Sequence, residues 1–361
     1  MTEKLKTLMD ESADLQFAVP DLDAIVKAGD RSVRRRRLVA GAGGLAAAAV
    51  VAGVVIGVSA GGSDRVTDPA AGSDGAVAEW ASGAVLHTQA GTIDVGHPVR
   101  AYVRTSVGYL VADDDGTVWS VVAGDVRKVG TTSAEHAHLV GDDDAPMGAW
   151  VDTTADPVGY VAYDQAHRQN IYLGPDHDGK LVALDAGQLY VQEGRETKVY
   201  AVDGPDARLD PPAPGDRLLT WEDGVAVWED PGGGDEESKY LVGRTEMEPV
   251  EIPQVQGELA MLSPDARWLT LDADEPRVYD VQTGAEVTMD VGDRDFATGY
   301  GWLDDDTLMM IAGKGGDGAV ELLVCQVPSG TCTPDPESAG KLGTFADAVG
   351  FALPVGTPLG D

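Results

Sequence analysis

The sequence predicts an all-β protein, a β-propeller of about seven four-stranded blades preceded by a short helical tail and one transmembrane helix. Three observations predict this fold. An uncharged stretch separates two regions of different charge balance, short strands and turns replace helical periodicity beyond Trp80, and a strand unit recurs about every 41 residues. Repeats of roughly 40 to 50 residues are typical of propeller blades.

The composition excludes several classes of protein. With 43% hydrophobic residues in 361, the chain has enough apolar surface for a sizeable core and is not wholly disordered. The net charge of −35 excludes a phosphate-binding surface over the whole protein, so we expect no nucleic-acid partner. Two cysteines exclude a disulfide-scaffold protein and a cysteine-rich structural zinc site.

Charge is unevenly divided along the chain. Residues 1–37 hold eight basic and seven acidic residues, a net charge of +1, and residues 38–60 hold no charged residue. The other 301 residues hold 18 basic and 54 acidic residues, a net charge of −36. This division predicts that the two charged regions lie in different compartments.

The uncharged stretch from Leu38 to Ala60 has the length of a transmembrane helix. Its 23 residues would reach about 34 Å as a helix, and a bilayer core is about 30 Å thick. The basic cluster before it consists of Arg31, Arg34, Arg35, Arg36 and Arg37. By the positive-inside rule this cluster places the N-terminus in the cytoplasm, where each arginine would bind lipid headgroups at about 1 kcal/mol.

Two other interpretations of residues 38–60 remain open. A helix rich in Ala, Gly and Val also suits the core of a soluble protein, although the arginine flank disfavours that. The small residue Ala60 suits cleavage of an export signal, which would release a secreted protein. An anchor and a cleaved signal both export residues 61–361, so both predict the same compartment for the acidic region.

The segments beside the membrane helix are predicted to lack a core. Residues 1–37 form a cytoplasmic tail with short helices on both sides of Pro20, and this tail is also a candidate docking segment for a cytoplasmic regulator. Residues 61–79 are rich in Gly, Ala, Ser and Asp and predict a disordered linker. Residues 80–355 form the predicted propeller, and residues 356–361 a C-terminal tail.

One strand with an aromatic or bulky residue at its centre recurs through residues 80–355. The six markers are Trp119, Tyr172, Tyr200, Tyr240, Tyr279 and Val324. Dividing the domain by their mean spacing gives between six and seven units, and strands at 84–95 and 344–353 are left over. We expect the leftover strands to share a closing blade, which makes seven blades, with six or eight as neighbouring values. A β-sandwich followed by a second β domain is the competing architecture.

Residues 262–287 resemble a WD-repeat-like blade. Ser263-Pro264-Asp265 is placed as the inner turn, residues 268–271 and 277–281 as the next two strands, and Tyr279-Asp280 where WD repeats have Trp-Asp. The repeated Gly-His of WD repeats is missing, which separates these units from true WD repeats. The overall layout is similar to that of membrane-anchored propeller proteins of Gram-positive bacteria.

Cys325 and Cys332 flank a hairpin-like insert that would place them on neighbouring strands. We expect a structural disulfide between them, because exported proteins fold in oxidising compartments. A catalytic redox pair would normally have Cys-x-x-Cys spacing instead.

Aspartate runs and one histidine pair are the candidate metal ligands. The runs are residues 113–115, 142–144 and 304–306, with Asp176-His177-Asp178-Gly179 as a shorter relative. Calcium prefers several oxygen ligands on a sharp turn, but Asp and Gly also form hairpin turns, and we favour turns. His136, His138 and Asp142 are a weak zinc candidate, for which a surface or loop position is the simpler interpretation. We therefore predict no cofactor, with calcium as the alternative.

The leading functional prediction is a single-pass membrane protein whose exported propeller binds or scaffolds a protein or a cell-envelope ligand. Its acidity favours cations or basic protein surfaces as partners. The sequence contains no hydrolase elbow, phosphate loop or HExxH motif. An exported hydrolase of cell-wall carbohydrate or a lactone is the first alternative, which partly buried, clustered carboxylates in the channel would favour. Transmembrane signalling through the cytoplasmic tail is the second.

Overall fold

The computed structural model describes residues 76–156, 158–175, 179–213, 215–230, 239–244, 247–253, 259–271, 276–314, 318–344 and 350–359. The chain divides into two units, Met1–Ser73 and Asp74–Asp361, and the described residues all belong to the second. The predicted tail, arginine cluster, transmembrane helix and residues 61–75 of the linker lie outside these ranges. Within them, no helix combines the length and apolar character needed to cross a membrane.

The second unit is a seven-bladed β-propeller, and each blade is a four-stranded antiparallel sheet. Blade 1 contains β28 (Phe351–Ala352), β1 (Trp80–Ser82), β2 (Val85–Thr88) and β3 (Gly91–Asp94). Blade 2 contains β4 (Val99–Thr105), β5 (Gly108–Asp113), β6 (Thr117–Val122) and β7 (Asp125–Thr131). Blade 3 contains β8 (Leu139–Asp142), β9 (Met147–Asp152), β10 (Gly159–Asp164) and β11 (Gln169–Pro175). Blade 4 contains β12 (Lys180–Asp185), β13 (Gln188–Glu193), β14 (Glu196–Ala201) and β15 (Ala207–Leu209).

The remaining three blades follow in chain order. Blade 5 contains β16 (Arg217–Glu222), β17 (Val225–Asp230), β18 (Lys239–Arg244) and β19 (Val250–Pro253). Blade 6 contains β20 (Ala260–Leu262), β21 (Trp268–Leu271), β22 (Arg277–Asp280) and β23 (Glu286–Thr288). Blade 7 contains β24 (Phe296–Trp302), β25 (Thr307–Gly313), β26 (Val320–Gln326) and β27 (Thr331–Pro334), with one 3₁₀ turn (Val327–Ser329). The predicted blade number is confirmed, and the two-domain sandwich alternative is wrong.

Strand position within a blade follows residue type. The second strand of blade 7, β25, is buried at every residue and reads as a nearly continuous apolar run. The outermost strand of blade 2, β7, carries Arg127 and Lys128 and is largely exposed, which protects its free edge from pairing with other chains. Tight turns join these strands. Asp223-Gly224, for example, has φ of 44° and 78°, the conformation of a two-residue hairpin turn.

The core lies between the blades. The first strands of successive blades contact one another around a central channel, so β28, β4, β8, β12, β16, β20 and β24 are the inner strands. The buried apolar side chains of the described ranges form seven clusters, and each cluster joins two adjacent blades. Trp150 of blade 3, for example, is fully buried together with Leu110 and Val118 of blade 2.

The ring closes where the two ends of the domain meet. Strand β28 pairs with β1, with Ala81 opposite Ala352 and Ser82 opposite Phe351, so one blade combines both ends of the domain as predicted. Beyond this strand, the backbone of Gly356 bridges two inner strands. Its amide donates to the Tyr102 carbonyl at 3.0 Å and its carbonyl accepts from the Leu139 amide at 2.8 Å.

One of the six sequence markers is in the wrong strand. Trp119, Tyr200, Tyr240, Tyr279 and Val324 all lie on third strands, whereas Tyr172 lies on β11, the outermost strand of blade 3, and is 69% exposed. The aromatic pattern repeats on two neighbouring strands of this blade, which explains the error. In blades 2 to 7 the third strands begin at residues 117, 159, 196, 239, 277 and 320, so their spacing is 37 to 43 residues, whereas the third strand of blade 1, β2, begins 32 residues earlier at Val85. In blade 6, the predicted turn and strands are confirmed.

The predicted disulfide is confirmed. Cys325 on β26 is directly opposite Cys332 on β27, their Cα atoms are 4.0 Å apart, and the sulfur atoms are bonded. The bond closes a short loop within blade 7, and Cys325 itself is completely buried. The described part of the chain contains no free cysteine.

Replacing both cysteines by alanine should lower the free energy of unfolding by about 2.5 kcal/mol, because the unfolded chain regains the entropy of an eight-residue loop. Denaturant unfolding of the oxidised protein and the variant measures this difference. Reduced wild-type protein is the matched control and should lose a similar amount. Two free thiols in non-reducing mass spectrometry of protein purified without reductant would contradict the pairing.

Candidate functional site

One end of the central channel collects polar side chains from most blades. The inner strands run in the same direction around the ring, so their carboxyl ends meet there. We call this end the channel mouth, defined by the carboxyl ends of the seven inner strands, the residues directly after them, and Glu79, which directly precedes β1. Two aspartate runs, residues 142–144 and 304–306, lie at the mouth, whereas residues 113–115 follow a second strand and lie at the opposite end.

A half-open cavity of about 180 Å³ lies at the channel mouth. Its charged lining residues are Glu79, Arg104, Asp143 and Glu222. Its apolar lining consists of Val103, Met261, Leu262, Pro264, Tyr300, Trp302, Met309 and Pro354. These residues come from blades 1, 2, 3, 5, 6 and 7, so only the closed ring assembles the cavity.

Arg104 forms the central ion pair of the cavity. Its Nε and Nη2 atoms donate to the two carboxylate oxygens of Asp143, at 3.3 and 2.7 Å. Its Nη1 atom lies 3.9 Å from Oε2 of Glu79. The two-point contact between Arg104 and Asp143 fixes the plane of the guanidinium and joins blade 2 to blade 3.

Glu79 is an almost completely buried carboxyl group, with a side chain 4% exposed. Its Oε1 accepts a hydrogen bond from the Tyr109 hydroxyl at 3.2 Å, whereas its Oε2 has no hydrogen-bond donor within the described ranges. Burial raises the pKa of Glu79 above its usual value, and Arg104 offsets part of that rise. A buried acceptor without a donor is costly, so this oxygen is a site where an incoming donor gains free energy.

Carboxyl groups from three blades repel one another at the mouth. Burial, followed by the charges of Asp185, Asp143, Asp142 and Asp144, raises the pKa of Glu222 to about 9. At neutral pH the Glu222 carboxyl therefore holds its proton for most of the time. When the Glu222 carboxyl ionises, its negative charge must be compensated by a nearby cation.

Two other mouth carboxyls are perturbed in the same direction. Burial and the charge of Asp185 raise the pKa of Asp142 to about 6. Burial also raises the pKa of Asp305, with additional repulsion from Asp265, its neighbours in the 304–306 run and Asp144. The charge of Asp144 in blade 3 raises the pKa of Asp305 in blade 7. The electrostatic potential is therefore negative across the whole mouth.

The predicted metal ligands do not form a common site in the structure. His136 is exposed near Glu135, whereas His138 is half-buried, and burial followed by the charge of Lys180 lowers its pKa to about 4. Asp142 is buried at the mouth. Across the described residues, no group of three or more His, Cys, Asp or Glu side chains is arranged to hold a metal ion. His136, His138 and Asp142 therefore stay a weak zinc candidate, beside the prediction of no metal.

The aspartate runs form hydrogen-bonded turns. Asp113 accepts hydrogen bonds from the amides of Asp115 and Thr117, Asp142 accepts from the amides of Asp144 and Ala145, and Asp304 accepts from that of Asp306. These contacts are those that aspartate makes in Asx turns. Asp176-His177-Asp178 lies outside the described residues, and calcium binding at these runs stays the alternative to the prediction of no cofactor.

Sequence reasoning missed the cavity residues Glu79, Arg104 and Glu222. Arg104 and Glu222 each lie at or next to the carboxyl end of an inner strand, and Glu79 directly precedes the strand that pairs with the closing strand. If the inner strands had been identified in the sequence, these three residues would have been recognised as candidates, because the carboxyl ends of the inner strands meet at one end of the ring.

No protein-family model and no curated protein matches the sequence. Among solved structures, Kluyveromyces lactis Hsv2 is 14% identical, with coverage of 64% of this chain and 74% of that chain and a TM-score of 0.46. A chain of the mitotic checkpoint complex is 12% identical, with 78% and 86% coverage and a TM-score of 0.47. An oligogalacturonate lyase in complex with manganese is 11% identical, with 61% and 74% coverage and a TM-score of 0.43. These values concern the fold alone and assign no function.

Replacing Glu222 by glutamine should stabilise the protein in a pH-dependent way. Because the folded-state pKa of Glu222 is raised from 4.5 to about 9, the contribution of its protonated carboxyl to stability is complete below pH 4.5 and is lost as the pH rises through 9. Denaturant unfolding should show little difference between Glu222→Gln and the wild type at pH 4.5 and a gain of about 2 kcal/mol or more at pH 8.

The matched control is Glu135→Gln, whose side chain is 88% exposed in the wild type. This variant should unfold like the wild type at both pH values. A Glu222→Gln variant with no pH-dependent gain would contradict the burial and repulsion described for this carboxyl group.

Proposed function

We propose that the chain is a single-pass membrane protein with a cytoplasmic N-terminus and an extracellular propeller that binds a protein or a cell-envelope ligand. The arginine cluster, the uncharged residues 38–60 and the net charge of −36 beyond them support this orientation. The Cys325–Cys332 disulfide suits an oxidising compartment. The layout is similar to membrane-anchored propeller proteins of Gram-positive bacteria, and the proposed function needs no cofactor.

The cavity at the channel mouth is the observation that carries the binding role. A concave site with apolar walls and a few converging charged groups is typical of a binding site. The carboxyl groups around it favour a positively charged partner and disfavour nucleic acids and other polyanions. We therefore assign partner binding to the channel mouth rather than to the outer edges of the blades.

Protease treatment of cells stripped of their wall tests the orientation. An N-terminal tag should stay protected in the membrane fraction, and a C-terminal tag should be digested without permeabilisation. Permeabilised cells, in which both tags are digested, are the control. Protection of both tags would contradict export, and an N-terminal tag missing from the membrane fraction would support the secreted alternative cleaved near Ala60.

A crosslinking pull-down from intact cells tests the role of the mouth. The variant Asp144→Asn/Asp305→Asn removes two charges at the mouth, and the matched control Asp114→Asn/Asp115→Asn removes two at the opposite end. We expect the mouth variant to capture at least fivefold less partner and the control to stay within twofold of the wild type. Equal losses in both variants would show general acidic attraction instead of a defined site.

An exported hydrolase is the second candidate, and the partly buried, clustered carboxyl groups favour it. Glu222 holds its proton at neutral pH, as a general acid must, and Asp143 lines the same cavity in an ion pair with Arg104. The test is hydrolysis of chromogenic N-acetylglucosaminides and of a lactone. A hydrolase should lose at least 100-fold in kcat in Glu222→Gln and keep its rate in Glu135→Gln, whereas equal background rates in all three proteins would exclude this candidate for these substrates.

A further inference from the structure

We propose that the cavity at the channel mouth binds a guanidinium or alkylammonium group, presented by an arginine or lysine side chain of a basic polypeptide. This inference rests on the proposed function, because it names the partner chemistry of the binding module. It is argued from the unsatisfied Glu79 carboxylate, the contacts of Arg104, the apolar wall of the cavity and the charge around its entrance.

The first observation in favour of a bound cation is that Glu79 Oε2 is a buried hydrogen-bond acceptor. This oxygen belongs to a side chain that is 4% exposed and lines the cavity, yet no donor in the described ranges reaches it. Arg104 Nη1, at 3.9 Å, is beyond hydrogen-bond distance. An N–H group that entered the cavity would satisfy the oxygen, and a charged N–H would form the stronger bond.

The cavity lining holds more acidic than basic side chains, and ionisation of Glu222 would leave a negative charge there that a bound cation can balance. Three acidic side chains, Glu79, Asp143 and Glu222, line it together with a single basic one, Arg104. Arg104 commits its Nε and Nη2 atoms to Asp143, which shows that a guanidinium fits between these carboxylates. Its contacts leave Glu222 and Glu79 Oε2 available for a second cation.

The walls and size of the cavity suit one long side chain. Met261, Leu262 and Trp302 give an apolar surface along which the methylene stem of arginine or lysine can pack. A volume of about 180 Å³ accommodates one side chain but no folded domain. The partner therefore inserts a side chain while its backbone stays at the entrance.

The residues around the entrance favour a polypeptide over a free small cation. Asp144, Asp265 and Asp305 lie on different turns around the mouth and make the electrostatic potential there more negative. The charges of Asp265 and Asp144 both raise the pKa of the Asp305 carboxyl, which shows how far this potential extends. A polypeptide with several basic residues gains from this wide field, whereas a single small cation gains only from the cavity itself.

Binding is expected to release a proton. Before a cation binds, Glu222 is mostly protonated at pH 7, because burial and neighbouring carboxylates raise its pKa to about 9. A cation beside this group stabilises its ionised form and lowers that pKa. Each bound side chain should therefore displace close to one proton at pH 7.

Isothermal titration of the full chain in lipid nanodiscs at 150 mM salt tests the proposal. The probe is the peptide acetyl-Gly-Arg-Arg-Gly-amide, and its citrulline counterpart is the neutral control. We expect the arginine peptide to bind at least tenfold more tightly than the citrulline peptide, with release of about one proton measured in buffers of different ionisation enthalpy. Glu222→Gln should weaken binding at least tenfold and abolish the proton release.

Further variants separate the cavity from general attraction. Glu79→Gln should also weaken binding, provided that circular dichroism shows a native fold, whereas Asp114→Asn at the opposite end should change the affinity less than twofold. Equal binding of the citrulline peptide, or equal losses in Glu222→Gln and Asp114→Asn, would overturn the cavity proposal. Methylguanidine that binds as tightly as the peptide would overturn the polypeptide source in favour of a small cation.

The outcome also separates this inference from the proposed function. If the arginine peptide fails to bind but the mouth charges still control capture in the cellular pull-down, the cavity inference fails and the binding module stands. If both fail, the binding role of the mouth is wrong as well.

Discussion

Each blade has two apolar faces that only its neighbours can cover, and the whole structure depends on this constraint. The second strand of blade 7 shows it, since all seven residues from Thr307 to Gly313 are buried. Fully burying one large apolar side chain contributes about 1.5 to 3 kcal/mol, and each of the seven clusters between blades contains several. A closed ring is the arrangement in which no blade keeps an uncovered face.

The same ring brings distant charges together. Apolar packing fills the space between blades, so ionisable groups lie on the outer strands and at strand ends, and inner strands that run in the same direction bring their carboxyl ends to a common mouth. Glu79, Arg104 and Glu222 are far apart in the chain and line one cavity. Burial removes the water that would solvate an ionised carboxylate and is the largest cause of the raised pKa of Glu222, and the low local polarity also strengthens the repulsion from the neighbouring carboxylates.

The sequence contained most of the information for the fold and little for the site. Spacing and leftover strands predicted seven blades and a shared closing blade, and the short loop between Cys325 and Cys332 predicted their bond, because these features depend on local distance along the chain. Tyr172 was placed wrongly because the third and fourth strands of blade 3 both carry tyrosine. Glu222 was missed for a different reason: its importance depends on which strands are innermost, which spacing alone does not reveal.

The shared closing blade has a consequence for biosynthesis. A ribosome completes β1 long before β28, so the edge at Ala81 and Ser82 stays unpaired until Phe351 and Ala352 at the other end of the propeller domain have been synthesised. During that interval the last-formed face of an incomplete ring and the open edge of β1 are both available for wrong pairing. A nascent chain that is stalled or cleaved before residue 351 lacks the strand that completes blade 1, so it cannot close the ring. Cellular quality control can recognise such a chain by its unpaired strand edge.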